Sequence, residues 1–258
     1  MSGVSAIGSA GGYSSYGSYA TVSGGGAITS AAQDAAGLAI DKKTETQTRE
    51  LDQGKENLKD AKSMLNVEDG ALDGITDYLQ NIRELALRAG NATMSDEDKQ
   101  YIQGQIDQYL QGIDDIAKQT TFNEQHLLDG SRGNMTIASD GSSSMDVSTS
   151  DSTVASLGLS GFSVTSGNFS IKDIDDALAT VQNSRTTAGA ETNRIDYATS
   201  YNSRASLELN GFRMDGNEER SIDALQNIKS KQALDQYQMM LQKKQQEDEE
   251  RKGQLFFA

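Results

Sequence analysis

Side chains able to do acid–base, nucleophilic or metal chemistry are few and poorly placed along this sequence. His126 is the sole histidine and cysteine is absent. Thiolate metal sites, disulfides, thiol nucleophiles and histidine relays are therefore excluded within one chain. His126 lies in Asn123-Glu124-Gln125-His126-Leu127-Leu128, the setting of a surface or turn residue. The acidic pairs Asp114-Asp115 and Asp175-Asp176 are adjacent in sequence. Helical neighbours point in different directions, so these pairs read as solvated faces and not as a matched acid and base. No Gly-x-Ser-x-Gly, Walker loop or His-Glu-x-x-His occurs. Gly24-Gly25-Gly26 lacks a preceding strand and is not a phosphate cradle. Asn91-Ala92-Thr93, Asn134-Met135-Thr136 and Asn168-Phe169-Ser170 match the N-glycosylation triplet, and without a secretory route they read as chance. The sequence reads as a non-enzyme with no cofactor and no metal.

The spacing that does carry information is heptad. With Leu51 at position a, the residues Leu51, Leu58, Leu65, Leu72, Leu79 and Ala86 repeat every seven. Gly54, Ala61, Glu68, Ile75 and Ile82 fall at d, with Gly54 and Glu68 as misfits. A stripe at 3.5 residues stays on one side only if helices wind around each other. Such a helix over 48–88 spans about 60 Å and needs partners.

Composition suits long helices. The 258 residues include no proline, tryptophan or cysteine, and hydrophobic residues are 35%. Proline, the commonest helix breaker, is thus missing. A formal charge of −15 disfavours nucleic acid and anionic membranes. No apolar run approaches the roughly 18 residues of a membrane span. The start resembles no signal peptide, so the chain is expected in the cytoplasm or exported without a cleaved signal.

Residues 1–27 form a Gly/Ser/Tyr tract, expected to be flexible when isolated. Thr29 or Ser30 is expected to cap the first helix, which stops at Gly90-Asn91. Ser95, followed by Asp96, Glu97 and Asp98, opens a second helix over about 96–118, with Ile102, Ile106, Tyr109, Ile113 and Ile116 on its seam. The short link makes the two antiparallel. Between 120 and 170, alternations such as Met135-Thr136-Ile137 and Phe162-Ser163-Val164 predict small hairpins and a Ser/Thr-rich loop at 139–156. Ile171, Ile174, Leu178, Val181 and Ile195 predict a third helix over about 171–208. A break near Gly211 and Gly216 then leads to a last helix from Glu218 to about Arg251, ending in a charged run and Phe256-Phe257.

Several segments together resemble bacterial flagellin. They are Ile28-Thr29-Ser30-Ala31-Ala32-Gln33-Asp34-Ala35-Ala36-Gly37-Leu38-Ala39-Ile40, Leu79-Gln80-Asn81-Ile82-Arg83-Glu84-Leu85-Ala86 and Gln119-Thr120-Thr121-Phe122-Asn123. Asp175-Asp176-Ala177-Leu178-Ala179-Thr180-Val181 with Asn193-Arg194-Ile195-Asp196 completes the set, in the family's order. The resemblance implies a mainly α fold, a long antiparallel coiled-coil-like helical rod with a small β-hairpin and loop region. It implies five segments: 1–27, rod helices over 28–128, hairpin and loop over 129–170, a rod helix over 171–210, and a C-terminal helix and tail over 211–258.

By the same resemblance the function is that of a structural subunit of the flagellar filament. Its partners would be other flagellin subunits, the type III export apparatus and a chaperone, and its location extracellular. The expected core and assembly residues are Leu51, Leu58, Leu65, Leu72, Ile75, Leu79, Ile82, Leu85, Ile106, Ile113, Leu178 and Val181. A charge at Leu79 would disrupt the rod. The family's innate-immune-receptor epitope aligns with Asn81, Leu85 and Gln105; the leucine is kept and both charged partners are replaced, so weak recognition is expected. The Gly/Ser/Tyr tract and the charged C-terminal run depart from the family's apolar ends. Those departures keep open a second reading, a secreted, non-polymerising binding module or minor filament- or hook-associated protein.

Overall fold

The computed structural model describes residues 18–28, 30, 34–166 and 169–256, with side chains described as far as Glu247. It is mainly α: α1 (Ala35–Ala89), α2 (Asp96–Gln119) and α3 (Ile171–Phe256), with two small antiparallel hairpins between α2 and α3. The chain forms two compact units, Arg49–Ala205 on the one hand and Met1–Thr48 with Ser206–Ala258 on the other.

Helix ends follow local chemistry, not always where the sequence pointed. Thr29 lies outside the described residues and Ser30 is not helical. Asp34 takes the cap of α1, its Oδ1 accepting from the Gly37 amide at 2.9 Å, because a carboxylate there satisfies an orphan N–H and suits the helix dipole. Ser95 caps α2 as expected, accepting from the Asp98 amide at 3.2 Å. The break expected near Gly211 and Gly216 does not exist, and α3 continues through both. A helical glycine costs only about 1 kcal/mol against alanine, too little to stop a helix that has no proline.

In the Arg49–Ala205 unit, ion pairs Lys62–Asp196, Arg185–Asp69 and Arg83–Asp175 run α1 against α3 in antiparallel register. On the other side the Tyr78 and Tyr109 rings sit 5.6 Å apart and Gly74 faces Ile116, which sets α2 antiparallel to α1 as well. One apolar core joins all three helices to Leu127, Leu128, Val147, Leu157, Leu159 and Val164 of the intervening region.

That intervening region starts with β1 (Thr121–Phe122) and β2 (Gln125–His126), paired Thr121↔His126 and Phe122↔Gln125. Asn123 (φ 48°) and Glu124 (φ 63°) are both left-handed, the backbone of a tight two-residue hairpin turn. β3 (Met135–Ala138) and β4 (Ser144–Val147) pair from Met135↔Val147 to Ala138↔Ser144. Their turn is closed by Asp140, whose Oδ1 accepts from the amides of Ser142 and Ser143. Phe162-Ser163-Val164 is not a strand. Gln103 takes over its backbone pairing, donating to the Phe162 carbonyl at 3.1 Å and accepting from the Val164 amide at 2.8 Å.

In the other unit, residues 18–23, at the end of the tract read as flexible when isolated, are helical; residues 1–17 lie outside the described ones. Gly25 (φ 61°) and Gly26 (φ 79°) end this stretch, with the Gly26 amide on Thr21 O at 2.8 Å and the Gly25 amide on Val22 O at 3.1 Å. Paired bonds of this kind satisfy orphan carbonyls through left-handed glycine. Arg220 of α3 donates to the Gly26 carbonyl at 2.9 Å and to Asn217 Oδ1 at 2.5 Å, and pairs with Asp41 at 3.3 Å.

Candidate assembly site

The residues singled out in the sequence gather in the Arg49–Ala205 unit. Leu58, Leu65, Leu72, Ile75, Leu79, Ile82, Ile106, Ile113 and Val181 are fully buried in its core. Leu85 and Leu178 are half-buried and pack against that core; Leu51 is half-buried as well. The fully buried members spend their apolar surface inside the chain. The part left to meet another molecule belongs to the half-buried ones and to what lies outside this set.

The two heptad misfits are buried too. Gly54 is where the β3–β4 turn reaches the helix: an added Cβ would collide with the Ser139 carbonyl. Glu68 is 1% exposed; its Oε1 accepts from Ser150 Oγ at 3.2 Å, while Oε2 has no hydrogen-bond partner. Burial pushes Glu68 up to about 7, against the pull of the Ser150 hydrogen bonds and with the help of the Glu191 and Asp69 charges. Glu191, also buried, accepts from the Ser148 amide at 3.1 Å and from Ser148 Oγ at 2.6 Å.

Part of the Ser/Thr loop is therefore docked and not solvent-facing. Ser152 is buried, with its amide on Leu128 O at 2.9 Å, and the Val154 amide donates to Asp114 Oδ1 at 3.0 Å. Sequence reasoning missed these acceptors because each lies dozens of residues from its donor. The one signal was Glu68 itself, a carboxylate in an apolar heptad.

Charge fixes register more than stability here. Arg185 bridges Asp69 at 2.9 Å and Asp73 at 2.7 Å, holding the Arg185 guanidinium above its ordinary value chiefly through the Asp69 hydrogen bond. Exposed pairs of this kind contribute at most about 1 kcal/mol each.

Outside the core, large apolar side chains stand exposed in both units. Tyr101, Tyr197 and Tyr201 project from the Arg49–Ala205 unit. More of them lie on α3 in the other unit, where Leu207, Phe212, Met214, Ile222, Leu234, Tyr237 and Met240 are all exposed. Asn81 and Gln105 are exposed and Leu85 half-buried, so the epitope-like positions present mainly amides. Among the described residues no three His, Cys, Asp or Glu side chains gather as metal ligands, and no helix is long and apolar enough to cross a membrane.

Comparison with known proteins decides what this architecture is. A profile of the bacterial flagellin N-terminal helical region matches residues 15–133, reaching into the Gly/Ser/Tyr tract. The flagellar filament 30.7 kDa core protein of Treponema maltophilum is 32% identical over 197 residues, covering 69% of this chain and 69% of that protein. The chain belongs to the bacterial flagellin family. A flagellin of Clostridium tyrobutyricum is 37% identical over 177 residues, which take in 68% of this chain and 45% of that flagellin. The crystal structure of Bacillus cereus flagellin superposes with a TM-score of 0.51 at 26% identity, over 57% of this chain and 88% of that one. Flagellins are structural proteins and not enzymes, in keeping with a site made of helix seams and exposed apolar side chains.

Proposed function

We propose that this flagellin-family chain is a subunit of the extracellular flagellar filament that self-associates through helix faces. The observation that carries the reading is the exposed apolar series of α3 from Leu207 to Leu241. Phe212 is 61%, Leu234 59% and Met240 68% exposed, and large apolar side chains left exposed in such number mark an interaction site. The core residues from Leu58 to Val181 hold the unit together, and Leu51, Leu85 and Leu178 are the members of that set with surface left for a neighbouring subunit.

With a net charge of −15, subunits repel at long range. Assembly therefore has to bury enough apolar area to outweigh that repulsion. Export through the type III apparatus with a chaperone belongs to the same proposal. Electron microscopy of the chain mixed with filament seeds tests it: growth from the seed ends supports a subunit, and persistent monomers favour a non-polymerising module.

Recognition by the innate immune receptor is proposed to be weak, because Asn81 and Gln105 stand where charged partners are expected. A receptor-reporter assay giving full activation at ordinary flagellin doses would refute that part alone.

A further inference from the structure

A pocket of about 310 Å³ opens between Glu68 on α1, the segment 148–150 and the 180–188 face of α3. Each hydroxyl lining it has committed its proton elsewhere. Ser148 Oγ donates to Glu191 Oε1 at 2.6 Å, Thr149 Oγ1 to the Arg132 carbonyl at 3.1 Å, and Ser150 Oγ to Glu68 Oε1 at 3.2 Å. On the helix side, Thr180 donates to the Asp176 carbonyl at 2.9 Å, Ser184 to the Thr180 carbonyl at 3.3 Å and Thr187 to the Asn183 carbonyl at 3.0 Å. What these groups have left to offer the pocket is lone pairs.

The carboxylate at its wall lacks a counter-charge. Glu68 is 1% exposed and its Oε2 makes no hydrogen bond. The charged groups around it do not supply what is missing. Glu191, on α3, is a second buried carboxylate, held by Ser148. Arg185, also on α3, is engaged by Asp69 and Asp73. On the docked segment Asp151 accepts from Thr153, and on α2 Asp114 is paired with Lys118. A buried carboxylate with one oxygen unpaired is costly, and a pocket lined by hydroxyl oxygens, with the Asn183 amide as its other polar side chain, invites a positive ligand.

We propose that this pocket binds a small monovalent cation, of the sodium or potassium class, which neutralises Glu68 and locks the segment 148–152 onto α1 and α3. Hydroxyl and carboxylate oxygens are the hard donors such an ion prefers. The described residues bring no third carboxylate there, which argues for one positive charge over two. A proton is the competitor: with Glu68 raised to about 7, the cation gains the site as the pH rises past neutrality.

The test is thermal melting of the full chain at about pH 8 in sodium, potassium or tetramethylammonium chloride at equal ionic strength, the last cation being too bulky to be coordinated there. The wild type is expected to melt a few degrees higher in sodium or potassium. The difference should vanish at about pH 5, where the proton holds the site, and in Glu68→Gln at either pH. Hydrogen exchange of residues 148–152 in the wild type, slower in sodium or potassium than in tetramethylammonium, carries the test even if the variant folds poorly. Equal melting and equal exchange in all three salts overturn the proposal, as does a salt preference that survives Glu68→Gln. A pH response without cation preference also overturns it, by assigning neutralisation to the proton alone.

Discussion

Gly54 of α1 and Ser139 of the β3–β4 turn meet backbone to backbone, so closely that no side chain can stand between them. The Ser139 carbonyl also accepts Asn202 Nδ2 from α3 at 2.6 Å. One carbonyl thus draws the hairpin onto two helices, at a seam position where the heptad calls for a large apolar residue.

Gly54→Ala tests that contact. On a free helix the change stabilises by up to about 1 kcal/mol. Here the methyl group must push Ser139 away and loosen its bond with Asn202, an overpacking cost of about 1–3 kcal/mol. Denaturant melting should show net destabilisation; a more stable variant would mean the turn yields freely.

Glu68 sets the pH response of the same unit. Its folded value of about 7 lies above the ordinary 4.5, so the folded state holds more protons between those two values. The contribution is complete below about 4.5 and is lost as the pH rises through 7, an effect on the order of 3 kcal/mol for a shift of this size. Melting in tetramethylammonium buffers should therefore fall from pH 5 to 8, and Glu68→Gln should flatten that slope. Asp114, Asp129 and Asp140 act in the opposite sense. They are depressed first by the Lys118 hydrogen bond, the Ser131 hydroxyl and the Ser142 amide respectively. Their contribution is present above the ordinary carboxylate range and lost as acid reaches their folded values. A wild-type melting temperature flat from pH 5 to 8 in tetramethylammonium would contradict the account of Glu68.

How much of this was legible depended on the range of the causes. Leu58, Leu65, Leu72, Ile75, Leu79 and Ile82 could be placed in the core from spacing alone, since helix periodicity is local and nothing interrupts it. Ser95 was readable as a cap for the same reason. Gly54 and Glu68 read as misfits because what they meet, Ser139 and Ser150, comes from a loop far along the chain. Gly211 and Gly216 misled in the other direction: glycine marks a possible stop, and α3 runs through both. That Leu207, Phe212, Leu234 and Met240 of α3 remain exposed could not be read from spacing, since exposure depends on what packs against the helix.

The turn at Gly24-Gly25-Gly26 makes a separate prediction in the other unit. Gly26 has a left-handed φ of 79°, and an added Cβ would strike the Asn217 carbonyl. Gly26→Ala should therefore unseat this turn and break the Arg220 contact with the Gly26 carbonyl. Hydrogen exchange of residues 18–26 should become fast while melting of the Arg49–Ala205 unit is unchanged. Undiminished protection would show that the turn is not held by this close approach.

Filament formation through the exposed face of α3 is tested most directly by seeded pelleting of the wild type beside Phe212→Asp/Leu234→Asp. Both substituted side chains are exposed, so helix content and melting of the full chain serve as the control for folding. The wild type is predicted to pellet with the seeds and the double variant to stay in the supernatant, with equal melting. A wild type that remains soluble with seeds, or a double variant that pellets as well as the wild type, would contradict it.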